Sequence, residues 1–192
     1  MSLFNYGQPV NGMCQLGYIV EDVHAAMEKF TRNLNAGPWF LMEGVTIQHE
    51  YRRKPNDFHG NLACGNTGHM MIELIQQLDD TPSVFTEIIK TRGYGLHHLA
   101  IGVSDFEQQL ELYKRLNYEV ALYTKSGMNH RVAYMDSKGK FPHFLELIEM
   151  NVPMEAVFAG VYRASIGWDG KDPVRDFGAT FGHLGEKAGE KK

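Results

Sequence analysis

The stretch Gly95-Leu96-His97-His98-Leu99-Ala100-Ile101-Gly102-Val103 combines a short apolar run with two adjacent histidines. Its composition predicts a β-strand, in which successive side chains point to opposite faces. His97 and His98 therefore cannot face the same side of a sheet. One of the two should face whatever the sheet encloses.

A second copy of this strand lies 83 positions earlier, at Gln15-Leu16-Gly17-Tyr18-Ile19-Val20. The same offset aligns Asp22 with Asp105, just before the helix predicted to follow each strand. At the far end of each copy, residues 71–75 (Met-Ile-Glu-Leu-Ile) align with residues 144–148 (Phe-Leu-Glu-Leu-Ile) at an offset of 73. Two segments that match in the same order indicate an internal duplication with a shorter loop in the second copy.

Hydrophobic periodicity divides each copy into a strand, a helix and three further strands. The first helix is predicted from Val23 to about Leu34, and the order Ser104-Asp105-Phe106-Glu107 predicts a capping box before the second. A turn is predicted at Pro55-Asn56-Asp57 before a strand near residues 60–65. The predicted fold class is therefore α+β, with two tandem βαβββ modules forming a cupped, mainly antiparallel sheet.

The same patterns predict six segments along the chain. The C-terminal extension is mildly helical and could pack across a sheet edge or act as a lid, and the final residues have little to bury. The segments are a lead-in (1–12), a first module (13–78), a linker with a short helix (79–94), a second module (95–150), the extension (151–181) and a disordered tail (182–192).

Composition and charge argue against several classes of protein. The 192 residues carry a net charge of −4 with 43% hydrophobic residues, close to globular averages. No apolar run approaches the ~20 residues of a membrane helix, and the one dense basic cluster is Arg52-Arg53-Lys54. We therefore expect neither a membrane nor a nucleic-acid partner. Two cysteines without metal-binding spacing, and no secretory signal, favour a reducing cytoplasm.

Four polar side chains interrupt the apolar strands where the two copies match best: Gln15, Glu73, His98 and Glu146. An isolated buried carboxylate is costly unless it has a partner or a metal. Two carboxylates at equivalent positions call for a shared explanation. A Gln carbonyl, a His nitrogen and two Glu oxygens suit a roughly octahedral divalent-cation site with room for water or substrate. The sequence thus predicts that these four residues are metal ligands.

Each of the four residues has a plainer explanation when taken alone. In a sheet with one solvated face, Glu73 and Glu146 would simply face solvent in ordinary alternation. Their joint placement by the repeat favours the metal site. Alternation and the match to Gln15 select His98 as the inward residue and leave His97 to a packed or hydrogen-bonded core position. A shift of one residue in register would exchange the two histidines.

Other polar residues near strand ends could line a substrate pocket. His69, His130 and His143 are candidates, and the basic cluster at 52–54 could hold an anionic substrate group. Surface placement is the more common situation for such residues. Cys14 alternates away from Gln15 and is expected in the core.

Paired βαβββ modules with a ligand in the first and last strand of each resemble the vicinal oxygen chelate superfamily, which includes glyoxalase I, methylmalonyl-CoA epimerase, extradiol dioxygenases and bleomycin-resistance proteins. The resemblance covers about residues 13–150 and rests on His98-Leu99-Ala100, Glu73-Leu74-Ile75 and Glu146-Leu147-Ile148. The ligand order Gln, Glu, His, Glu is similar to that of glutathione-dependent glyoxalases of animal type. Methylmalonyl-CoA epimerases more often have His at the position of Gln15, and extradiol dioxygenases bind iron through two His and one Glu. The subfamily stays open.

The resemblance implies a glyoxalase-like metalloenzyme that uses Zn, Ni, Co or Mn to chelate the vicinal oxygens of a substrate. Glu146, and also Glu73, would abstract a proton next to a carbonyl, giving isomerase, epimerase or lyase chemistry on a 2-oxoaldehyde adduct or an acyl-CoA thioester. A non-catalytic binder of the bleomycin-resistance type and an Fe(II) dioxygenase are the alternatives. The resemblance also implies a homodimer, with the ligands in one chain or shared between two.

Overall fold

The computed structural model of the chain describes residues 2–189 and contains both modules. None of the helices in this range is long and apolar enough to cross a membrane. The first module contains β1 (Met13–Ile19), α1 (Val23–Leu34), β2 (Trp39–Tyr51), β3 (Lys54–Thr67) and β4 (Met70–Gln77). After α2 (Val84–Arg92), the second contains β5 (Gly95–Val103), α3 (Phe106–Arg115), β6 (Glu119–Lys125), β7 (Arg131–Asp136) and β8 (Phe144–Glu149). The chain continues with α4 (Val152–Ser165), β9 (Val174–Asp176) and α5 (Phe177–Gly189).

The strands of the described residues form one sheet in the order β3-β4-β1-β5-β8-β7-β6-β2-β9. The modules join where β1 pairs antiparallel with β5. Strand β2 pairs with β3 and also, through Glu50 and Tyr51, with β6, so the sheet closes into a ring. The predicted fold class, two βαβββ modules in a cupped and mainly antiparallel sheet, is confirmed.

Alternation along the strands separates an outer layer from an inner one. Leu74 of β4 packs in a cluster with residues of α1 on the outside of the sheet, whereas its neighbour Glu73 lines an internal cavity. Strand β8 repeats this arrangement, with Leu147 packed in a cluster with residues of α3 and Glu146 lining the cavity. Each module therefore covers its outer face with its own helix and turns one carboxylate inward.

Both module helices begin after an aspartate at equivalent positions. Asp22 caps α1 and Asp105 caps α3, each accepting a hydrogen bond from a backbone N–H in the first turn. The capping box predicted at Ser104 is therefore wrong, because the N-cap is the next residue, Asp105. A carboxylate at the positive end of the helix is a favourable cap and occupies the place that Ser104 was expected to take. A capping box does occur at Ser83, before α2, with Thr86 as its partner.

Strands β2 and β3 form a long hairpin whose turn differs from the prediction. The turn lies at Arg52 and Arg53, which have φ angles of 49° and 68°, whereas residues 55–57 belong to β3. Two-residue hairpin turns with positive φ usually contain Asn or Gly. Two arginines do not indicate a turn of this kind. The Pro-Asn-Asp sequence that follows is typical of turns, although it lies in a strand here.

Both ends of the described chain pack against the sheet. In the lead-in, Phe4 and Tyr6 are buried although residues 2–12 form no helix. Disorder is predicted from residue 182, whereas the structure continues α5 to Gly189. Phe181 is buried, and Leu184, three residues further along the same helix face, packs on the same cluster. The last part of the predicted tail, residues 190–192, lies outside the described residues.

Candidate metal centre and its cavity

The closed sheet encloses a cavity of about 580 Å³. This volume falls within the ~300–1,000 Å³ typical of small-molecule sites. Strands of both modules line the cavity, and the C-terminal extension completes the wall. The contributing residues of α4 and α5 are Met154, Val157, Phe158, Phe177, Gly182 and Gly185.

The predicted ligands meet at this cavity within a single chain. One potential ligand atom from each of Glu73, His98 and Glu146 lies within 4.8 Å of the other two. Nε2 of His98 is 3.5 Å from Oε2 of Glu73 and 3.2 Å from Oε2 of Glu146. Gln15 lines the same cavity and is buried. None of the four has to come from a second chain.

The strand register explains why the repeat brings these residues together. In each module the first strand runs parallel to the last strand. Each module therefore contributes one candidate ligand from its first strand and one from its last strand, two residues further along the ladder. The equivalent pairs are Gln15 beside Met71 and Gly17 beside Glu73 in the first module, and His98 beside Phe144 and Ala100 beside Glu146 in the second.

Gly17 allows the close approach of His98. The two residues are partners across the β1–β5 ladder, and a Cβ atom on Gly17 would overlap the His98 ring. The equivalent residue of the second module, Ala100, lies opposite Gln15 instead. Position 17 is thus a glycine because the His98 imidazole needs the space, and not because the backbone has an unusual conformation there.

His97 determines which nitrogen of His98 carries a proton. His97 Nε2 lies 3.1 Å from the carbonyl oxygen of Val84, to which it must donate. Burial lowers the pKa of His97, so the ring is neutral and its Nδ1 is an acceptor. Nδ1 of His98 lies 3.0 Å from it and donates. Nε2 of His98 is therefore the nitrogen available to a metal ion.

Three of the four candidate ligands present a buried polar atom without a hydrogen-bond partner among the described residues. These atoms are Oε1 of Gln15, Nε2 of His98 and Oε2 of Glu146. The last two are close enough to bond, but they do not align as a hydrogen bond. Buried polar groups are ordinarily satisfied, so such a cluster needs an explanation.

The charges of the site point to a cation. Burial raises the pKa of Glu73, and the nearby carboxylate of Glu146 raises it further. Burial lowers the pKa of His98, but the carboxylates of Glu146 and Glu73 outweigh that effect and raise it overall. A divalent ion would neutralise both carboxylates and give the three unpartnered atoms a partner. The residues present therefore fit the metal that the sequence predicts.

The other residues named from the sequence have different positions. His130 lines the cavity and contacts Ser126 Oγ through its Nδ1. His69 stacks on Tyr162 and His143 on Phe141, and neither lines the cavity. Cys14 is a core residue. Of the basic cluster, Arg52 pairs with two carboxylates at 2.8 Å each, those of Glu87 and Asp136.

Five polar cavity residues were not singled out from the sequence: His49, Cys64, Thr124, Ser126 and Tyr134. Burial raises the pKa of Tyr134, and the carboxylates of Glu146 and Glu73 add to this effect. Alternation along β7 places Tyr134 and Val132 on the same face, which is a usable signal. That this face points inward depends on the closure of the sheet, which the strand pattern alone did not reveal.

The chain was compared with known proteins. Residues 14–134 match the family model described as "Glyoxalase/Bleomycin resistance protein/Dioxygenase superfamily". No curated protein sequence matches the chain significantly.

Several solved structures share the fold. A hypothetical protein from Bacillus halodurans has 18% identity and a TM-score of 0.55, with 73% of this chain and 94% of that chain covered. Methylmalonyl-CoA epimerase from Mycobacterium tuberculosis has 21% identity and a TM-score of 0.54, with 77% and 93% covered. A Streptomyces coelicolor methylmalonyl-CoA epimerase variant in complex with 2-nitronate-propionyl-CoA has 14% identity and a TM-score of 0.55, with 75% and 100% covered. At these identities the likeness shows the fold.

Proposed function

From the premise that the chain belongs to the glyoxalase, bleomycin resistance protein and dioxygenase superfamily, we propose that it is a metal-dependent isomerase, epimerase or lyase. It binds one divalent ion, Zn, Ni, Co or Mn, through Gln15, Glu73, His98 and Glu146. It acts on a small molecule with vicinal oxygens by removing a proton next to a carbonyl. The observation that carries this proposal is the group of three buried, unpartnered ligand atoms at the wall of a substrate-sized cavity.

Gln15 and His98 hold the site in place. His98 presents Nε2 because its Nδ1–H donates to His97, and Gln15 offers its amide oxygen, which has no other partner among the described residues. When bound, the ion supplies a Lewis acid that stabilises the developing oxyanion of the substrate. The closed sheet keeps most of the surrounding surface apolar.

Glu146 and Glu73 move the proton. Before an ion binds, burial and the neighbouring carboxylate raise the pKa of Glu73, and a carboxylate released from the ion would regain this basicity. Glu146, the more deeply buried of the two, takes the proton from the carbon next to the substrate carbonyl. Glu146 then returns this proton to the substrate, or Glu73 gives the substrate a proton taken from solvent while Glu146 releases its own proton to solvent. Return to the other face of the same carbon gives epimerisation, and return to a neighbouring carbon gives isomerisation.

A second candidate is a binder that sequesters a small molecule without catalysis. The mainly apolar lining of the cavity favours it, because such a wall suits binding as well as reaction. The two candidates differ in one observable. Only the enzyme catalyses exchange of a substrate C–H proton with solvent.

The first test is elemental analysis of protein purified without chelator, followed by calorimetric titration with Zn²⁺, Ni²⁺, Co²⁺ and Mn²⁺. We expect one ion per chain and a rise in Tm on loading. Failure of all four ions to bind or to raise Tm would leave the binder as the better candidate. Oxygen consumption that depends on Fe²⁺ would instead identify the dioxygenase.

The second test is deuterium exchange followed by NMR, using 2-oxoaldehyde hemithioacetals, acyl-CoA thioesters and uncharged α-hydroxyketones. Glu146→Gln should reduce exchange on any accepted substrate by at least about 100-fold, the lower end of what a positioned general base contributes. Glu28→Gln, which removes the same charge from the exposed face of α1, is the control. Full metal binding together with full exchange in Glu146→Gln would show that Glu146 is not the base.

A further inference from the structure

We infer that the substrate has an uncharged, mainly hydrocarbon body and that its vicinal oxygens are its only strongly polar end. This inference rests on the proposed function for the role of the oxygens. It rests on the cavity wall for the nature of the body.

The described part of the cavity wall offers no cationic side chain to a substrate. Among the described residues that line it there is no Lys or Arg, and its only carboxylates, Glu73 and Glu146, belong to the candidate metal site. A phosphate or carboxylate taken into such a wall would lose its hydration without gaining a partner. Apolar side chains dominate the remainder, and they include Met42, Ile47, Phe58, Leu62, Leu122 and Val132.

The two histidines in the wall do not change this conclusion. His49 Nδ1 lies 3.1 Å from the carbonyl oxygen of Ile47, and His130 Nδ1 contacts Ser126 Oγ. Burial lowers the pKa of both rings. They are therefore neutral and not suited to holding an anion. Nε2 of His49 is also occupied, because it lies 3.3 Å from Nδ2 of Asn56.

The basic cluster at the β2–β3 turn is outside the cavity and partly occupied. Arg52 is bound by the carboxylates of Glu87 and Asp136, and it hydrogen-bonds Glu87 through two nitrogens. Arg53 and Lys54 do not line the cavity. No residue of this cluster therefore forms part of the cavity wall.

The size of the cavity suits a ring-sized body. Helix α5 lines it with Gly182 and Gly185, and a Cβ atom on Gly182 would meet no atom within 4 Å. Because Gly182 is also exposed, it lies where the cavity meets solvent. A two- or three-carbon acyl group would leave much of the volume of about 580 Å³ unfilled. Because Gly182 and Gly185 have no side chains, this side of the cavity stays open for a larger apolar body.

Three matched probes separate the effect of the substrate body from that of metal chelation. Catechol, 4-tert-butylcatechol and 3,4-dihydroxybenzoate share the vicinal oxygens and differ at one ring position. Their affinities for the Zn²⁺-loaded protein are measured by calorimetry without oxygen. We expect 4-tert-butylcatechol to bind at least about tenfold more tightly than catechol, because its added carbons are buried. We expect 3,4-dihydroxybenzoate to bind more weakly than catechol. Equal or tighter binding of the carboxylate overturns the inference.

Gly182→Leu tests the wall independently of the metal. The added side chain narrows the cavity, so the affinity for 4-tert-butylcatechol should fall roughly tenfold while the affinity for Zn²⁺ is unchanged. Ala179→Leu, on an exposed part of α5 that does not line the cavity, is the matched control. An unchanged affinity in Gly182→Leu also contradicts the inference.

The same probes distinguish failure of the inference from failure of the proposed function. If the protein binds no ion, the proposed function fails, but the preference for the tert-butyl over the carboxylate probe should persist in the metal-free protein. If the ion binds and the preference is absent, the metal site stands and the substrate class is wrong.

Discussion

The two modules present their candidate metal ligands in the same register, but the surroundings of these candidates differ. In the second module, the His98 ring lies directly against Gly17 on the neighbouring strand. Its Nδ1–H donates a hydrogen bond to Nδ1 of His97. Both contacts restrict the ring, and the second also assigns its protons. The imidazole therefore has one orientation and one free nitrogen.

The first module has no such support behind its ligand. Cys14 stands at the position of His97, and its thiol points to the carbonyl of Ala100 at 3.6 Å. The amide of Gln15 makes a weak contact, 3.4 Å from Nε2 to Sδ of Met71. The repeat thus determines where the ligands lie, whereas their unrepeated neighbours determine which atom each presents.

The largest difference between the modules should appear when the candidate ligand of each first strand is removed. We expect His98→Ala to abolish measurable Zn²⁺ binding, because it deletes a pre-oriented nitrogen. Gln15→Ala should weaken binding roughly tenfold, since the amide is less constrained and water can replace its oxygen. Calorimetric titration measures both. Equal losses would show that the support behind His98 contributes nothing to affinity.

Substitution across the β1–β5 ladder is expected to have the next largest effect. Gly17→Ala places a Cβ where the His98 ring lies, and the overcrowding should lower the free energy of unfolding by about 1–3 kcal/mol. The displaced ring should also weaken Zn²⁺ binding.

The matched change in the other module is Ala100→Gly. It should cost about 1–2 kcal/mol, through backbone entropy and the loss of a buried methyl group, and leave Zn²⁺ affinity unchanged. Denaturant unfolding and metal titration measure both variants. Normal metal affinity in Gly17→Ala would show that the imidazole tolerates displacement.

Removing the residue behind each ligand tests the proton assignment. His97→Phe retains a ring among Phe85 and Phe144 but removes the acceptor for Nδ1–H of His98. We expect a 10- to 100-fold loss of metal affinity, as for other groups that orient a metal ligand. Cys14→Ala, the equivalent change in the first module, should leave affinity unaltered.

His97→Gln separates orientation from packing, because its amide oxygen can accept the same hydrogen bond. It should recover part of the lost affinity. Similar metal binding in the Phe variant and the native protein would remove the role assigned to His97.

The modules also differ in how their last strands are tied to neighbouring elements. Arg131 binds Glu149 through Nε and Nη2 at 2.8 and 2.6 Å. At the equivalent position of the first module, the uncharged Gln76 accepts from the backbone N–H of Val23 at the start of α1. The second module alone therefore uses a titratable group here.

This difference predicts the smallest effect, a pH dependence. The hydrogen bonds from Arg131 lower the pKa of Glu149 in the folded protein, so its stabilisation is complete above the unfolded pKa of about 4.3 and is lost as the pH falls through the folded value. Glu149→Gln should lower the free energy of unfolding by about 1 kcal/mol at neutral pH, and the difference should shrink as the pH falls toward the folded pKa of Glu149.

Gln76→Leu is the comparison, because an amide does not titrate. The effect of Gln76→Leu on the free energy of unfolding should be the same at pH 7 and at pH 3. Denaturant melts near pH 7 and pH 3 measure the two variants. A pH-independent effect of Glu149→Gln would contradict the role of the ion pair.

The repeat made the fold and the inward residues predictable from the sequence. The two offsets matched Gln15 with His98 and Glu73 with Glu146, and alternation allowed each pair to face the inside of the sheet. These inferences need only local periodicity and internal comparison. His98 was chosen over His97 in the same way, but the expected opposite orientation is wrong, because a register shift in the β1–β5 ladder skips His97. Both rings pack against Tyr134, and their Nδ1 atoms lie 3.0 Å apart.

Long-range closure and unusual turns were not predictable in this way. The β2–β6 pairing rests on Glu50 and Tyr51, whose strand pattern does not name a partner. The turn at Arg52 and Arg53 lacks the residues that normally mark positive φ. The cavity wall formed by α5 was missed because a glycine-rich sequence resembles a disordered tail, although its apolar residues recur on one helix face.

Both half-sites are encoded within one chain, and this has a consequence for how the site can change. In an assembly of two identical modules, every substitution would be copied across the symmetry axis, so a glutamine could not stand opposite a histidine. Here Gln15 and His98 can mutate separately, and so can Cys14 and His97 behind them. A substitution at the candidate ligand of one module therefore leaves the residue at the equivalent position of the other module unchanged.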